Sequence, residues 1–178
     1  MTLTVEDGTG LVDADAFPSL VAFKAYCDKR GYAYTTDELI NQAIVRATAF
    51  MSDSFAWDGW RVKGRGAAGG AQALTWPRHN VTDEEGHSVP SDSVPIEVIE
   101  ATIEIAIIEL ATPGIMTPSY TPSERVKSEK VGKLAIEYDL SAIGPESARP
   151  VLLAVRDKVG AFLATGGGSS ISGVAVRG

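Results

Sequence analysis

The feature that most constrains the fold is the apolar stretch at residues 94–112, VPIEVIEATIEIAIIELAT, which has the length and periodicity of one long, mostly buried helix. Side-chain oxygens that can cap a helix precede it at residues 91–93. Pro95 falls in the first turn, where a missing N–H costs little, and Pro113 ends the pattern. The sequence therefore predicts one central helix around which the other elements pack.

Apolar side chains cover more than one side of this predicted helix. At 100° per residue, one face carries Ile96, Ile99, Ile103, Ala106 and Leu110, and a separate acidic stripe carries Glu97, Glu100 and Glu104. A third side carries Val98, Ala101, Ile105 and Ile108. A monomeric surface helix does not need this second apolar flank. We therefore expect the helix to lie at the centre of a bundle and also to contact a neighbouring subunit through its third side.

Three further amphipathic patterns predict the rest of the bundle. The first runs from a cap at Ser19 to residue 30, with Gly31 at its end. The second opens with a capping box, Thr35 and Glu38, and runs to about residue 52. The last opens near residues 147–150 and runs to residue 163. The fold class is therefore mainly α, a small bundle of about four helices.

The remaining segments predict a hairpin, a long loop and an arm. Alternating residues at about 126–138, around a turn at Gly132, predict one β-hairpin. A Trp- and Gly-containing loop joins the second and third helices. We expect one domain at residues 1–165, followed by a flexible linker and an extended C-terminal arm at residues 166–178. Apolar residues in the arm, which predict an added strand on a partner, are Ile171, Val174 and Val176.

Charge and cysteine content narrow the classes of function. With 16 basic and 23 acidic residues the net charge is −7, which argues against a chain whose main task is to grip phosphates, although it leaves a local basic patch open. One cysteine, Cys27, excludes an internal disulfide and a cysteine-based zinc site, and indicates a reducing compartment. The sequence shows no signal peptide and no apolar run of about 18 residues, so we expect nothing that crosses a membrane.

The middle loop is the one part that resembles a nucleic-acid surface. It contains Trp57, Trp60 and Trp76, and between residues 59 and 82 it carries bases and no acid. These bases are Arg61, Lys63, Arg65 and Arg78. Aromatic faces beside cations can stack on and neutralise single strands. The alternative, which the acidic total favours, is that the tryptophans close the helical core while the bases solvate a loop or meet an acidic neighbour.

Catalysis and metal binding have little support in the sequence. Two histidines, His79 and His87, flank three acids at residues 83–85, but an eight-residue separation across a turn gives no spacing that would bring them together. No G-x-S-x-G elbow is present, and GRGAAGG lacks the ending of a phosphate-binding loop. We expect no enzyme activity, no cofactor and no metal, and we read residues 83–87 as a solvated acidic turn.

Several fragments, in order along nearly the whole chain, resemble a family of tailed-phage and prophage proteins. They are VEDGTGL, the segment around Trp60 to Arg65, QALTWPR, SVPSDSVPIEVIEATIEIA, VKSEKVGKLAIEYD and the tail ending VAVRG; QALTWPR is the most specific of them. Members carry the label of DnaT-like single-stranded DNA-binding proteins. Their organisation is similar to that of head–tail connector, or adaptor, proteins.

That resemblance implies a virion protein that lies at the head–tail interface. During assembly the protein would be in the host cytoplasm. Adaptors of this kind are helical bundles with a β-hairpin that form a twelve-subunit ring beneath the portal protein and contact a stopper or tail-completion protein. Packaged DNA would pass through the ring without specific binding; the label implies single-stranded DNA binding instead. Candidate partner-binding residues are Trp60, Arg61, Lys63, Arg65, Ile171, Val174, Val176 and Arg177, and candidate subunit-interface residues are Val98, Ala101, Ile105 and Ile108.

Overall fold

The structure, a computed structural model, describes residues 2–64, 71–117, 128–131, 134–137 and 152–164. Its helices are α1 (Leu20–Arg30), α2 (Asp37–Ser54), α3 (Ile96–Ala111) and α4 (Leu153–Val159), the last continued by a 3-10 turn at Gly160–Phe162. Its strands are β1 (Trp60–Arg61), β2 (Arg78–His79), β3 (Ser128–Val131) and β4 (Leu134–Glu137). The predicted fold class, mainly α with a small hairpin, is confirmed.

Local signals explain where α1 begins and ends. The Ser19 hydroxyl accepts a hydrogen bond from the Ala22 N–H at 3.1 Å, and Gly31 adopts a left-handed φ of 70° that lets Tyr32 N–H reach the Cys27 carbonyl. The inward face buries Phe23 together with Cys27. The predicted helix and both of its ends are confirmed.

The start of α2 differs from the prediction by a residue or two. Thr36, and not Thr35, occupies the N-cap position, and its side chain makes no capping hydrogen bond. Asp37 in the first turn is a carboxylate near the positive end of the helix dipole, which stabilises a start without a cap. The expected inward face is fully buried at Ile40, Ala43, Ile44, Ala47 and Met51, while Phe50 is half-buried.

α3 is the central helix, and its most deeply buried side was predicted as a subunit contact. Val98, Ala101 and Ile105 have no exposed surface, and Ile108 is half-buried. This side faces α2, because Arg46 of α2 reaches Glu109 on the same flank. The subunit-interface prediction is therefore corrected at the three buried residues, whose side chains have no surface to offer to another copy.

The face of α3 that carries Ile96, Ile99, Ile103, Ala106 and Leu110 is buried at Ile103 and Ala106 and more open elsewhere. Ile96 is 59% exposed, and Ile99 and Leu110 are half-buried. The predicted capping oxygens are also wrong, since Pro95 takes the N-cap position and the Ser93 hydroxyl donates to the Pro90 carbonyl. Ala22 and Ala25 of α1 lie opposite this face, and their small side chains leave part of it uncovered.

The segment that contains α4 is joined to the loop after α2 by backbone pairing. α4 buries Val155 and Val159, and Phe162 follows in the 3-10 turn. After it, Leu163 bridges Trp57, and the Ala164 N–H donates to the Ala56 carbonyl at 2.9 Å. The predicted opening of this helix at residues 147–150 lies outside the described residues.

β3 and β4 pair antiparallel with Val131 opposite Leu134, in the register of the predicted hairpin with its turn at residues 132–133. The outer residues of the predicted hairpin, 126, 127 and 138, lie outside the described residues. In the parts of the chain that the structure describes, every helix is too short or too polar to span a bilayer.

Candidate docking surface

Trp60 marks the candidate site, a small surface carried on the two-residue ribbon β1–β2. Its side chain is 59% exposed, and its indole lies 6.3 Å, centroid to centroid, from the imidazole of His79, its partner across the ribbon. We call Trp60 and His79, together with Arg61 and Lys63, which are close to Trp60 in the sequence, the Trp60 surface. A solvent-exposed indole can contact protein or stack on a base.

Gly59 sets the position of the ribbon. Its φ is 62°, and a Cβ at this position would lie 2.0 Å from the His79 carbonyl oxygen. Only glycine combines the left-handed conformation with so close an approach of two backbones. The ribbon that carries Trp60 is therefore held tightly against the segment after Pro77.

Arg78 fixes the base of this surface from inside. Its guanidinium is buried and donates to four backbone carbonyls: Asp58 at 2.6 Å, Gly59 at 2.7 Å, Thr75 at 3.1 Å and Trp57 at 3.3 Å. Burial and the nearby charge of Arg61 both lower the pKa of Arg78 from its ordinary value. All of these acceptors belong to the protein, so Arg78 stabilises the fold and is not part of the exposed surface.

Gln72 has the same kind of role in the QALTWPR segment. Its buried amide donates to the carbonyls of Leu74 and Pro77, both at 3.0 Å, and its oxygen accepts from the Lys63 N–H at 3.2 Å. Arg61 donates to the Gln72 carbonyl at 3.2 Å. The most specific sequence motif of the chain is thus a structural element that holds residues 61–63 in place.

Two of the three tryptophans belong to the core. Trp76 is fully buried, and its ring packs at 5.7 Å in edge contacts with both Trp57 and Phe162. Trp57 is 8% exposed and donates its indole N–H to the Met51 carbonyl. The prediction that the tryptophans close the core is confirmed for these two and wrong for Trp60.

The cations of the loop divide in the same way. Arg78 is buried, Arg61 and Lys63 are half-buried, and Arg65 lies outside the described residues. The other candidate partner-binding residues, Ile171, Val174, Val176 and Arg177, also lie outside them. Of the predicted partner-binding residues, the structure therefore describes Trp60, Arg61 and Lys63, and Trp60 makes its ring contact with His79.

Three potential metal ligands converge at the turn after β2, and His79 and His87 lie apart, as their sequence separation predicts. Oxygen and nitrogen atoms of Asp83, Glu85 and His87 lie within 4.8 Å of one another, while His79 is on the Trp60 surface instead. One Asp83 oxygen accepts the N–H groups of His87 and Glu85. Both hydrogen bonds lower the pKa of Asp83, and the bond from His87 has the larger effect. These hydrogen bonds account for the convergence as a tight, solvated turn.

Two buried carboxylates, Glu6 and Glu109, hold loops of the fold in place, and the sequence patterns did not identify either of them. Glu6 is 5% exposed and accepts the N–H groups of Gly8, Gly10 and Leu11, which shapes the N-terminal loop. Glu109 is 1% exposed and holds the loop after α3. One signal was present for Glu109: at 100° per residue it falls on the apolar flank of α3 and away from the acidic stripe.

The chain belongs to the protein family described as "Putative DnaT-like ssDNA binding protein", whose family model matches residues 1–178. No curated protein and no solved structure matches the chain.

Proposed function

We propose that this protein is a structural assembly protein, the head–tail adaptor of a tailed phage or prophage. In this role it forms a ring of copies beneath the portal protein and presents a surface to the stopper or tail-completion protein. The observation that carries the proposal is the burial of Trp57, Trp76 and Arg78. These three side chains could have formed an extended surface for single-stranded DNA. They are instead inside the protein, where they support the ribbon that carries the exposed Trp60.

A single fixed indole suits a protein contact better than a nucleic-acid groove. Protein interfaces obtain much of their affinity from a few anchors, in which Trp and Arg are enriched. Trp60 has this character, because the Gly59 turn and the buried Arg78 hold its backbone in place before binding. Preorganisation of this kind lowers the entropic cost of docking.

The charge of the chain also supports the adaptor. A ring of twelve copies, the number that the family resemblance implies, would carry −84 at −7 per copy. A negative ring repels the DNA backbone and lets a genome pass without adhering. A protein that binds single strands gains most of its affinity from clustered cations, and the described part of the Trp60 surface carries two.

Single-stranded DNA binding is the second candidate, and the family description supports it more directly than it supports the adaptor. In that function, Trp60 would stack on a base and Arg61 and Lys63 would contact phosphates. The two candidates use the same surface, so they differ in the partner and in the salt dependence of binding.

Truncating Trp60 should weaken binding to the cognate portal ring by about 30-fold or more, since a central tryptophan anchor contributes about 2 kcal/mol or more. The substitution Trp60→Ala should leave the thermal midpoint almost unchanged, because the side chain is largely exposed. Binding is measured by surface plasmon resonance on immobilised portal rings at physiological salt.

The matched control is Tyr32→Ala, which truncates an aromatic side chain that is 48% exposed on another part of the subunit. Its affinity for the portal should stay within about threefold of the wild type. Equal portal affinity for Trp60→Ala and wild type, with loss of binding to oligonucleotides alone, would favour the second candidate.

A further inference from the structure

A groove between α1 and α3 is a second exposed apolar feature of the fold. It has a volume of about 220 Å³, and its apolar walls are Ala22 and Ala25 from α1 and Ile96, Ile99 and Ile103 from α3. Ile96 is 59% exposed. The small alanine side chains of α1 leave this part of α3 uncovered, so an apolar side chain from another molecule can enter. We call this feature the α1–α3 groove.

The α1–α3 groove also carries a surplus of positive charge. Lys29, Arg30 and Glu100 line it together with the apolar walls. One Glu100 oxygen is shared between two cations, since it lies 2.8 Å from the Lys158 ammonium and 3.6 Å from the Arg30 guanidinium. Lys29 is exposed and has no ion-pair partner within the residues that the structure describes. The groove therefore suits an aliphatic side chain that has a carboxylate next to it.

The N-terminal loop of the chain presents such a pair of side chains. Val12 is 61% exposed, and Asp13 beside it in the sequence is exposed too. In the described part of the chain, Asp13 forms no hydrogen bond and no ion pair. We call these two residues the Val12 tip. Its valine matches the apolar walls of the groove, and its carboxylate matches Lys29.

Hydrogen bonds hold the loop on both sides of the Val12 tip. On one side the Glu6 carboxylate accepts the Leu11 N–H at 2.9 Å, and the Leu11 carbonyl accepts the Ala73 N–H at 2.9 Å. On the other side the Asp15 N–H donates to the Thr4 carbonyl at 2.7 Å. The tip is therefore held in solvent before it meets a partner, which lowers the entropic cost of docking.

Other exposed aliphatic side chains match the groove less well. Apart from α1 and the groove itself, the described residues with large exposed aliphatic side chains include Leu39 and Leu153. Leu39 follows two acids that are already engaged, one by Lys24 and one by Gln42. Leu153 has Arg156 one turn further along α4, and this cation has the same sign as Lys29 of the groove. The Val12 tip combines an exposed aliphatic side chain with an unpaired acid.

We propose that copies of this chain associate by inserting the Val12 tip of one copy into the α1–α3 groove of the next, where Asp13 pairs with Lys29. The tip and the groove are different surfaces, so the contact is heterologous, and its repetition gives a ring when the rotation between copies closes. The inference rests on the proposed function only for the ring. It adds the surfaces through which copies meet, which are separate from the Trp60 surface.

The contact between two free copies is expected to be transient. It consists of one valine that leaves water and one ion pair at the surface, and each of these contributes little on its own. Copies therefore stay apart at low concentration and associate where assembly brings them together. Disulfide trapping detects a transient contact of this kind.

Trapping uses two variants of the full chain, Val12→Cys and Ala25→Cys, mixed at equal concentrations. Ala25 is an exposed residue of the groove wall, and native Cys27 is buried. Oxidised glutathione accepts the two electrons and is reduced to glutathione as the two thiols join. We expect a disulfide between the two chains, because the two Cα atoms would lie within about 7 Å when the tip is docked. A non-reducing gel and mass spectrometry identify the linked residues.

The matched control replaces the groove thiol with Ala49→Cys, at an exposed alanine on α2. The pair of Val12→Cys with Ala25→Cys should form the disulfide at least about tenfold faster than the pair with Ala49→Cys. Equal rates for the two pairs would overturn the proposal. Portal rings and DNA are absent from these mixtures, so the outcome is separate from that of the portal measurement with Trp60→Ala.

Charge reversal gives a second test that a change in stability does not imitate. Asp13→Lys in the tip chain, or Lys29→Glu in the groove chain, should slow trapping by about threefold or more. Each rate is divided by the rate at which the same thiols react with glutathione, so that a nearby charge does not change the comparison. Asp53→Lys in the tip chain, at an exposed acid of α2, should have no effect.

Combining the two reversals, one in each chain, brings opposite charges together again. The rate should then return to within about twofold of the value for the unreversed pair. Reversals that leave trapping unchanged, or that slow it additively when they are combined, would contradict the pairing of Asp13 with Lys29.

Discussion

Replacing Arg78 with methionine should lower the free energy of unfolding by about 3–5 kcal/mol, the largest effect expected of any single change in the loop. Methionine fills much of the same space but donates no hydrogen bond. The carbonyls of Asp58, Gly59, Thr75 and Trp57 would lose their charged donor. Unpaired buried carbonyls are costly, so the ribbon carrying Trp60 should loosen with the rest of the loop.

Urea titration followed by tryptophan fluorescence measures this effect. The matched control is Arg156→Met, which makes the same chemical change at an exposed arginine on α4 and should cost less than about 0.5 kcal/mol. Arg78→Lys should be nearly as damaging as Arg78→Met, since one ammonium cannot reproduce a planar fork that reaches four acceptors. Equal stability of Arg78→Met and Arg156→Met would show that the guanidinium does not hold the loop.

The second large effect is expected at Glu109, where Glu109→Gln should lower the free energy of unfolding by about 2–4 kcal/mol. The carboxylate accepts the Gly114 N–H at 2.7 Å, the Met116 N–H at 3.0 Å and the guanidinium of Arg46 at 2.7 Å. Glutamine supplies one acceptor oxygen in place of two, and its amide hydrogens face donors. Glu97→Gln is the control, because that acid on the same helix is exposed.

The same carboxylate predicts a dependence of stability on pH. Burial raises the pKa of Glu109, but the hydrogen bonds from Gly114, Arg46 and Met116 outweigh burial and bring the pKa below its ordinary value. A group whose pKa is lower in the folded state contributes stability above its unfolded pKa of about 4.3, and loses it as the pH falls through the folded value. Urea titrations from pH 7 to pH 3 should show the gap between wild type and Glu109→Gln narrowing below about pH 4.3. A gap that widens on acidification would contradict this assignment.

Periodicity predicted the helices well because three of them bury a continuous apolar face. The Ser19 cap and Gly31 end of α1 are local signals, so a sequence pattern reports them directly. Which side of α3 is most buried is not a local property. Val98 and Ile105 are inside because α2 packs against them, and Ile96 is exposed because α1 meets it with the small side chains of Ala22 and Ala25.

The candidate site was harder to predict, because the roles of its residues depend on contacts between distant parts of the chain. Arg78 and Arg61 look alike in a basic loop, but one meets four carbonyls and the other lies at the surface edge. Trp57, Trp60 and Trp76 are equally aromatic, and contacts made in three dimensions, such as that of Phe162 with Trp76, decide which of them are buried. The sequence pattern could place a tryptophan-rich loop but could not divide it into core and surface.

The adaptor proposal is tested most directly by measuring what the wild-type protein binds. Purified protein is mixed in parallel with cognate portal rings and with labelled single-stranded DNA, and each mixture is analysed by sedimentation at physiological salt. Our account predicts stable co-sedimentation with the portal and negligible retention of DNA, consistent with a net charge of −7. Tight, salt-sensitive DNA binding without portal association would contradict it, and would make the Trp60 surface a single-strand binding site.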